Sequence, residues 1–299
     1  MIQNNVCSIC AFYAVSPVHA GSGSSLAAVD LPIQRERHTN WPHVQASAVK
    51  GAFRAHYRKF TDDDTTINFI FGYDAQDKDR MGDYKTDKEP GENFPGAVSF
   101  SDAKLLAFPM RSNIAPFVWV TSPGILRRLH NDLAYVHSEQ GAGDIPQLEN
   151  EQAIALFNSS KEGEKVILED AVVTVASVQE KGLDFIASTF PGVDKLLIVS
   201  DHVFKYCVDS CTEVQTQIKI DSKKGTAQDG ALRYQELLPA DSLLYSVVNY
   251  SDSSVNNELQ AMNIKKHVQQ VISDFIQVGG DETLGRGICR VNWIDGGAQ

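Results

Sequence analysis

Residues 6–15, VCSICAFYAV, form an almost unbroken apolar run of β-branched, aromatic and small side chains. That composition suits a strand, and the run reads as the first strand of the fold. The first 34 residues contain no Lys or Arg. The positive flank of a secretory signal is therefore missing, and the segment is expected to stay in the folded chain of a cytoplasmic protein. No apolar run approaches the roughly 20 residues that a membrane helix needs.

After this strand, Pro17 to Ala46 is loop-like, punctuated by Gly21, Gly23, Pro32 and Pro42. Ser47 then reads as the N-cap of a helix over AVKGAFRAHYRKF. On that helix Val49, Phe53, His56 and Phe60 share one face, and Lys50, Arg54 and Arg58 make a stripe at i, i+4, i+8. From Leu31 to Phe60 there are six Lys/Arg against one acid, Glu36, in a chain whose net charge is −11. The acidic total argues against indiscriminate nucleic-acid binding. It leaves room for a local basic groove, because phosphate contacts depend on where charge sits. A charge stripe on a helix is most often a solvated face. Here it directly follows a glycine and arginine loop, which favours a functional reading. Asp62 to Glu92 reverses the sign, with ten acids and four bases, and reads as a polar, mobile insertion at 73–96.

Downstream, AVSFSDAKLLAFP and APFVWVT read as strands. Ser122-Pro123 opens a helix, cap then proline, with Ile125, Leu129, Leu133 and Val136 inward. KVILEDAVVTVA and KLLIVS add strands around a helix near 183–189. TEVQTQIKID and ALRYQELLP pair as a hairpin at 212–236 with a long tip. A final helix is expected from Asn256 to Val278, burying Leu259, Met262, Val268, Val271, Ile272 and Phe275, before Gly279 and Gly280 stop it. GICRVNWI closes the chain with Cys289, Val291 and Trp293 alternating. Strands, helices and hairpins interleave without a linker that divides the chain. The pattern predicts one α+β domain over 1–299, with helices on one face of ferredoxin-like sheets.

The glycine-rich stretch GGDETLGRG lies between a helix and a strand. It lacks the Gly-Lys-Ser/Thr of a P-loop and has the opposite element order, so triphosphate binding is disfavoured. Taken alone it is a helix stop and a turn. His19 with Asp30 invites a catalytic reading, since histidine serves as a general base or phosphate anchor and aspartate holds a metal or a proton. A lone loop histidine is more often a surface residue. No serine elbow and no HExxH occur, so hydrolase and protease readings lack support. Five cysteines, Cys7, Cys10, Cys207, Cys211 and Cys289, do not make a disulfide framework. Cys7-x-x-Cys10 with Cys207-x-x-x-Cys211 has the count for a zinc site. On one strand, however, Cys7 and Cys10 point to opposite faces, so ordinary buried thiols are expected.

Several segments carry a resemblance in order along the chain: SPVHAGSG, VDLPIQRERHT, SAVKGAFR, SFSDAKLLAFPMRS, VTSPGILRRL, LRYQELLPAD and GGDETLGRG. Together they resemble the RAMP superfamily of CRISPR proteins. More closely, they resemble the repeated backbone subunit of the type III-B (Cmr) effector complex, its fourth subunit by convention. The family's GSSLKG reads ASAVKG here, with Ala46 and Ala48 in place of a glycine and a serine. The resemblance implies an RRM-like palm, finger insertions and a β-hairpin thumb. It implies a subunit that assembles with copies of itself and other Cmr subunits along a CRISPR guide RNA. It further implies cutting of paired single-stranded target RNA at regular intervals with a divalent metal, magnesium by preference, held by Asp30. His19 and Glu236 match residues near that cut. Ser47, Lys50, Arg54, Arg35, Arg37, Gly280, Gly285, Arg286 and Gly287 fall in segments that meet guide RNA. No membrane partner is implied.

Two other readings belong beside this one. A scaffold with a silent cleavage loop would keep the guide contacts and lose the chemistry. A repeat-processing endoribonuclease of the same superfamily would use histidine acid/base chemistry without metal, and the long PIQRERHT loop argues against it.

Overall fold

The computed structural model describes residues 6–60, 63–73, 93–138, 145–157, 159–179, 184–228 and 230–295. In chain order the elements begin with β1 (Val6–Ala14), β2 (His43–Val44), α1 (Ala46–Tyr57), α2 (Asp64–Phe71), β3 (Gly72–Tyr73), β4 (Phe94–Pro95), β5 (Val98–Phe100) and β6 (Ala103–Met110). Next come β7 (Val118–Thr121), α3 (Pro123–Tyr135), β8 (Gln152–Ala155), β9 (Lys165–Leu168), β10 (Ala171–Val178), α4 (Asp184–Thr189), β11 (Leu196–Val199) and α5 (Asp201–Ser210). The chain ends with β12 (Glu213–Gln217), β13 (Arg233–Leu237), β14 (Leu243–Tyr250), α6 (Ala261–Val271), β15 (Phe275–Gln277) and β16 (Ile288–Asp295).

Ten strands run β15-β16-β1-β14-β6-β7-β11-β8-β10-β9 across one sheet, with β2 on β6 and β5 on β14. The sheet is mixed: β7–β11 and β8–β10 are parallel and the other pairs antiparallel. β1 sits between β14 and β16, so Phe12 faces Leu244 on one side and Val291 on the other. This central position explains its continuous apolar sequence, since both of its faces are covered. The core gathers Ile9, Phe12, Phe53, Leu106, Phe108 and Tyr245, all nearly fully buried. Among the described residues no helix is long and apolar enough to cross a membrane.

Several expectations shift in physically simple ways. α1 begins one residue before the anticipated cap. Gln45 holds the cap position without a side-chain bond, and the Ala46 amide donates instead to Asp102 Oδ1 at 2.7 Å. Ser47 is thus an exposed helical residue and not the cap. The buried stripe of α1 is Val49, Phe53 and Tyr57, whereas Phe60 lies past the helix end and is exposed. The final helix is shorter than 256–278 at both ends. After Ile272, whose carbonyl accepts from the Trp293 indole at 2.7 Å, the apolar run pairs as β15 on β16. Phe275 is consequently exposed, and Met262, although within α6, lies on its solvent side. α3 matches its expectation closely, with Ser122 Oγ accepting from the Ile125 amide and Ile125, Leu129, Leu133 and Val136 buried. Of the acidic insertion at 73–96, residues 74–92 lie outside the described residues. Its two ends, β3 and β4, pair with each other.

All five cysteines are free thiols. Burial pushes Cys10 and Cys207 well up and Cys289 up to about 12, so they are inert packing residues at neutral pH. Among the described residues no group of three or more His, Cys, Asp or Glu side chains is placed to hold a metal ion.

β12 and β13 form a separate antiparallel hairpin, with Gln215 opposite Gln235 and Val214 opposite Glu236. β13 is the place where the loops of interest meet.

Candidate functional site

Three segments converge on the five residues of β13. The first is the loop before and after Asp30, docked along the edge of β13 that β12 leaves open. The Asp30 and Leu31 amides donate to the Tyr234 carbonyl at 3.1 and 3.0 Å, and the Glu236 amide donates to the Leu31 carbonyl at 3.0 Å. The Tyr234 amide in turn donates to Asp30 Oδ2 at 2.7 Å. A charge-assisted bond from a backbone amide fixes the carboxylate. Oδ1 accepts no hydrogen bond among the described residues. Asp30 itself is half-buried at the foot of an exposed glycine and serine loop, closed by the Ser25 amide on the Asp30 carbonyl at 2.9 Å.

The second segment carries His19. Its Nδ1 lies 2.9 Å from the Glu236 carbonyl oxygen. A carbonyl can only accept, so Nδ1 carries the proton, and in the neutral ring Nε2 keeps its lone pair. Nε2 faces Gly21, where a Cβ would sit 2.8 Å away. Glycine at 21 therefore leaves the ring nitrogen accessible.

The third segment is the glycine loop at 279–287. The Gly280 amide donates to the His19 carbonyl at 2.8 Å and the Gly287 amide to the Pro17 carbonyl at 2.9 Å. Gly279 has φ +90°, and a Cβ there would meet the His19 carbonyl oxygen at 2.6 Å. A Cβ at Gly287 would lie 1.9 Å from the Val278 carbonyl oxygen. Both glycines are required by the loop's own path. Gly285, at φ +72°, has open space around it and is exposed. Asp281 lies between them with φ +59°, and its Oδ2 accepts from Gln235 Nε2 at 2.6 Å. Arg286 reaches Gln215 on β12.

Glu236 is buried and fully engaged. Its Oε2 accepts from the Ile33 amide at 3.0 Å, and Oε1 accepts from Arg35 Nη2 at 2.6 Å and Thr212 Oγ1 at 2.8 Å. Arg35 also donates to the carbonyls of Asn40 and Val208 at 3.0 and 2.9 Å. These two residues clamp the loop after Asp30 to the hairpin and to the end of α5. Farther along the same loop, Glu36 accepts from Arg128 of α3 at 2.6 Å, and the Arg128 guanidinium stacks 4.4 Å from the Trp41 ring centroid. Arg128 and Thr39 hold the Glu36 carboxyl below its usual range against the opposing effect of burial.

The basic helix lies apart from this hub. Lys50 is half-buried and has no acidic partner among the described residues. Burial first, and then the neighbouring Arg54, lowers its pKa below that of an ordinary lysine. Arg54 donates to the Gly72 carbonyl at 3.0 Å and to Asn68 Oδ1 at 2.7 Å, so it ties α1 to α2. Arg37 and Ser47 are exposed.

The structure thus brings Asp30, His19, Glu236, Arg35, Gly280, Arg286 and Gly287 to one hub, and places Lys50, Arg54 and Ser47 on α1. The contributions of the Tyr234 amide, Thr212, Gln235 and Asp281 escaped the sequence reading. A backbone amide leaves no trace in side-chain identity. The one available signal was Asp281, an aspartate inside a glycine-rich turn, where left-handed backbone is common.

The RAMP superfamily profile matches residues 11–290. The CRISPR system Cmr endoribonuclease Cmr4 of Pyrococcus furiosus is 32% identical over 294 residues, covering 93% of this chain and 92% of that protein. The CRISPR system CMR subunit Cmr4 of Saccharolobus solfataricus is 24% identical, with 94% of each chain covered. The crystal structure of oligomeric Cmr4 from Pyrococcus furiosus superposes with a TM-score of 0.69 at 26% identity, over 97% of this chain and 98% of that one. A type III-B Cmr-beta cryo-EM structure in the apo state shares the fold, with a TM-score of 0.71 at 22% identity over 96% and 97% of the two chains. With a profile match across most of its length and a relative sharing nearly a third of its residues end to end, this chain belongs to the RAMP superfamily as a Cmr4-like member.

Proposed function

We propose that this chain is the repeated backbone subunit of a type III-B CRISPR effector complex, that it binds guide RNA beside copies of itself, and that it cuts the paired target RNA. The observation that carries the chemical part is the shared attachment of Asp30 and His19 to one edge of β13, two residues apart. The anchoring residues Tyr234 and Glu236 are about 7 Å apart along the strand, which leaves room for a phosphate between the two side chains. The named activity of the Pyrococcus furiosus relative supports the same reading.

The cut is a transesterification. The 2′-hydroxyl of the target attacks its own phosphorus, a new P–O2′ bond forms, and the P–O5′ bond breaks. His19 Nε2 accepts the 2′-hydroxyl proton, and the departing 5′-oxygen takes a proton from water. Glu236 stays out of the proton transfers, because its oxygens are committed to Ile33, Arg35 and Thr212. Its role is to hold the strand edge and the loop in one geometry.

Asp30 fits a divalent ion only as a single protein ligand, with one uncommitted carboxylate oxygen. Magnesium commonly binds through one or two carboxylates plus phosphate oxygens and water, so RNA would complete the set. Such an ion would offset phosphate charge during the cut. The apolar and glutamine faces of the hairpin serve as the thumb, α1 holds guide phosphates through Lys50, the loop after Asp30 does so through Arg37, the glycine loop lets RNA approach closely at the open Gly285, and the sheet around β1 is the palm.

The test is an assembled complex given a matched, labelled RNA with magnesium and with chelator. Cuts at regular spacing, lost with chelator, are the expected result. An RNA that is bound and left whole would make the chain a scaffold with a silent loop. Cutting that survives chelator would move the chemistry to histidine acid/base catalysis alone.

A further inference from the structure

The glycine loop and the Asp30 edge touch the same hairpin from different sides. On one face of the hairpin, Gln215, Gln217 and Gln235 line up by register, and Gln235 is only 2% exposed. Gln217 donates to Gln235 Oε1, which directs Gln235 Nε2 at the Asp281 carboxylate, 2.6 Å away. The partners fix the amide's orientation, since a carboxylate cannot donate. Gln235 lies between Tyr234, which holds Asp30, and Glu236, which holds His19. Asp281 is one residue from Gly280, whose amide holds the His19 carbonyl. A left-handed turn position asks only for glycine, asparagine or aspartate. The turn alone therefore does not account for a carboxylate aimed at a buried amide.

We propose that Asp281 and Gln235 are positioning residues that lock the glycine loop to β13, so that the seat of guide RNA on the loop sets the spacing of Asp30 and His19. This rests on the cleavage reading above and deepens it: the guide-facing loop and the cutting edge move as one body. A part-buried, charge-assisted hydrogen bond is suited to that role, because breaking it leaves the amide of the buried Gln235 without its acceptor.

The experiment compares Asp281→Gly, Asp281→Asn and Gln235→Met in the reconstituted complex with guide RNA and partner subunits. Target cutting is read as a single-turnover rate at saturating RNA, beside guide affinity. Asp281→Gly suits the turn and removes the acceptor, and is expected to cut about ten- to a hundredfold slower with guide affinity unchanged. Asp281→Asn suits the turn and keeps an acceptor oxygen, and is expected to cut about tenfold faster than Asp281→Gly. Gln235→Met should slow cutting as much as Asp281→Gly, and the double variant should be no slower than either single one, because both remove the same link. Wild-type rates in Asp281→Gly, equal rates for Asp281→Gly and Asp281→Asn, or additive losses in the double variant would each overturn the link. Should Asp281→Gly fail to assemble, the Gln235→Met rate decides, since that side chain fills a similar space without the amide that donates to Asp281. A wild-type complex that leaves its target uncut would instead sink the cleavage reading, and this inference with it.

Discussion

His19 and Asp30 hang from one strand edge: the Glu236 carbonyl accepts from His19 Nδ1 at 2.9 Å, and two residues earlier the Tyr234 amide donates to Asp30 Oδ2 at 2.7 Å. Neither side chain is buried, and neither belongs to the hydrophobic core. Their relative placement runs through backbone groups of β13, whose path the side chains of Glu236 and Gln235 tie to the Asp30 loop and the glycine loop.

Asp30→Asn and Asp30→Ala are expected to abolish target cutting and leave assembly and thermal stability unchanged. Asparagine keeps the oxygen that Tyr234 needs and loses the charge together with the uncommitted oxygen that would meet the ion. A complex of Asp30→Asn that cuts a matched RNA at the wild-type rate in a gel assay would remove this carboxylate from the mechanism.

His19→Ala should slow cutting by about a hundredfold or more, the range of a lost general base, without ending it. Gly21→Ala gives a sharper version, because its Cβ would sit 2.8 Å from Nε2 while Nδ1 stays on its carbonyl. The two variants should slow single-turnover cutting to a similar degree. Normal cutting by Gly21→Ala would show that RNA approaches the ring from another side.

Glu236→Ala is expected to lose both cutting and stability, which separates it from Asp30. It strands Arg35 in a mostly buried site and frees the Ile33 amide. Breaking one side of a buried ion pair costs about 3 kcal/mol or more, which corresponds to a melting temperature lower by roughly 5–10 °C. An unchanged melting temperature with lost cutting would return Glu236 to the chemistry.

What the sequence disclosed and what it hid follow from distance along the chain. β1 was legible because a strand covered on both faces carries its own apolar signature, and α3 because Ser122-Pro123 states its start locally. The Asp30 loop stood out through its glycines and isolated acid. The roles of Arg35 and Glu236 were not legible. Their pairing spans 201 residues, and on the page an arginine in a basic loop looks the same whether it faces RNA or a buried carboxylate. α6 was overextended because the apolar positions of β15 continue a helical period by chance. The pairing of Phe275 opposite Arg290 is a tertiary fact. α2 escaped notice because its Asp63 cap and its apolar residues Ile67, Phe69, Ile70 and Phe71 sit in the acidic stretch 62–92, just ahead of the insertion at 73–96, where charge dominates the pattern.

Lys50→Met is expected to weaken guide RNA binding for every sequence alike and to flatten the salt dependence by about 0.7 in log–log slope, the share of one single-strand phosphate contact. Because burial and Arg54 lower the Lys50 pKa, its charge is lost at a lower pH than that of an ordinary lysine. Guide affinity of the wild type should therefore fall earlier on the alkaline side than that of Lys50→Arg, which stays charged. Filter-binding across salt and pH reads both effects, and an unchanged slope would reduce the stripe to a solvated face.

The final prediction concerns the hairpin tip. Beyond β12 and β13 the chain folds a smaller turn of its own, with Ile220 bridged to Ala227 and Asp221 Oδ1 accepting from the Lys223 and Lys224 amides at 2.8 and 3.2 Å. Ile218, Ile220 and Leu232 are each more than half exposed there, and Val214 and Tyr234 continue the apolar surface down the strands. Several large apolar side chains left in solvent on one projecting hairpin point to contact with another molecule. Bases of paired RNA or a neighbouring copy of the chain both offer the flat apolar surface that would cover them. Replacing 218–232 by a two-residue turn removes the tip together with Ile218, Ile220 and Leu232, and spares every bond that β13 makes to Asp30, His19 and Asp281. The shortened chain is expected to fold with an unchanged melting temperature and to cut poorly, or to assemble into shorter filaments. A shortened chain that assembles fully and cuts at the same regular positions would place the thumb elsewhere in the molecule.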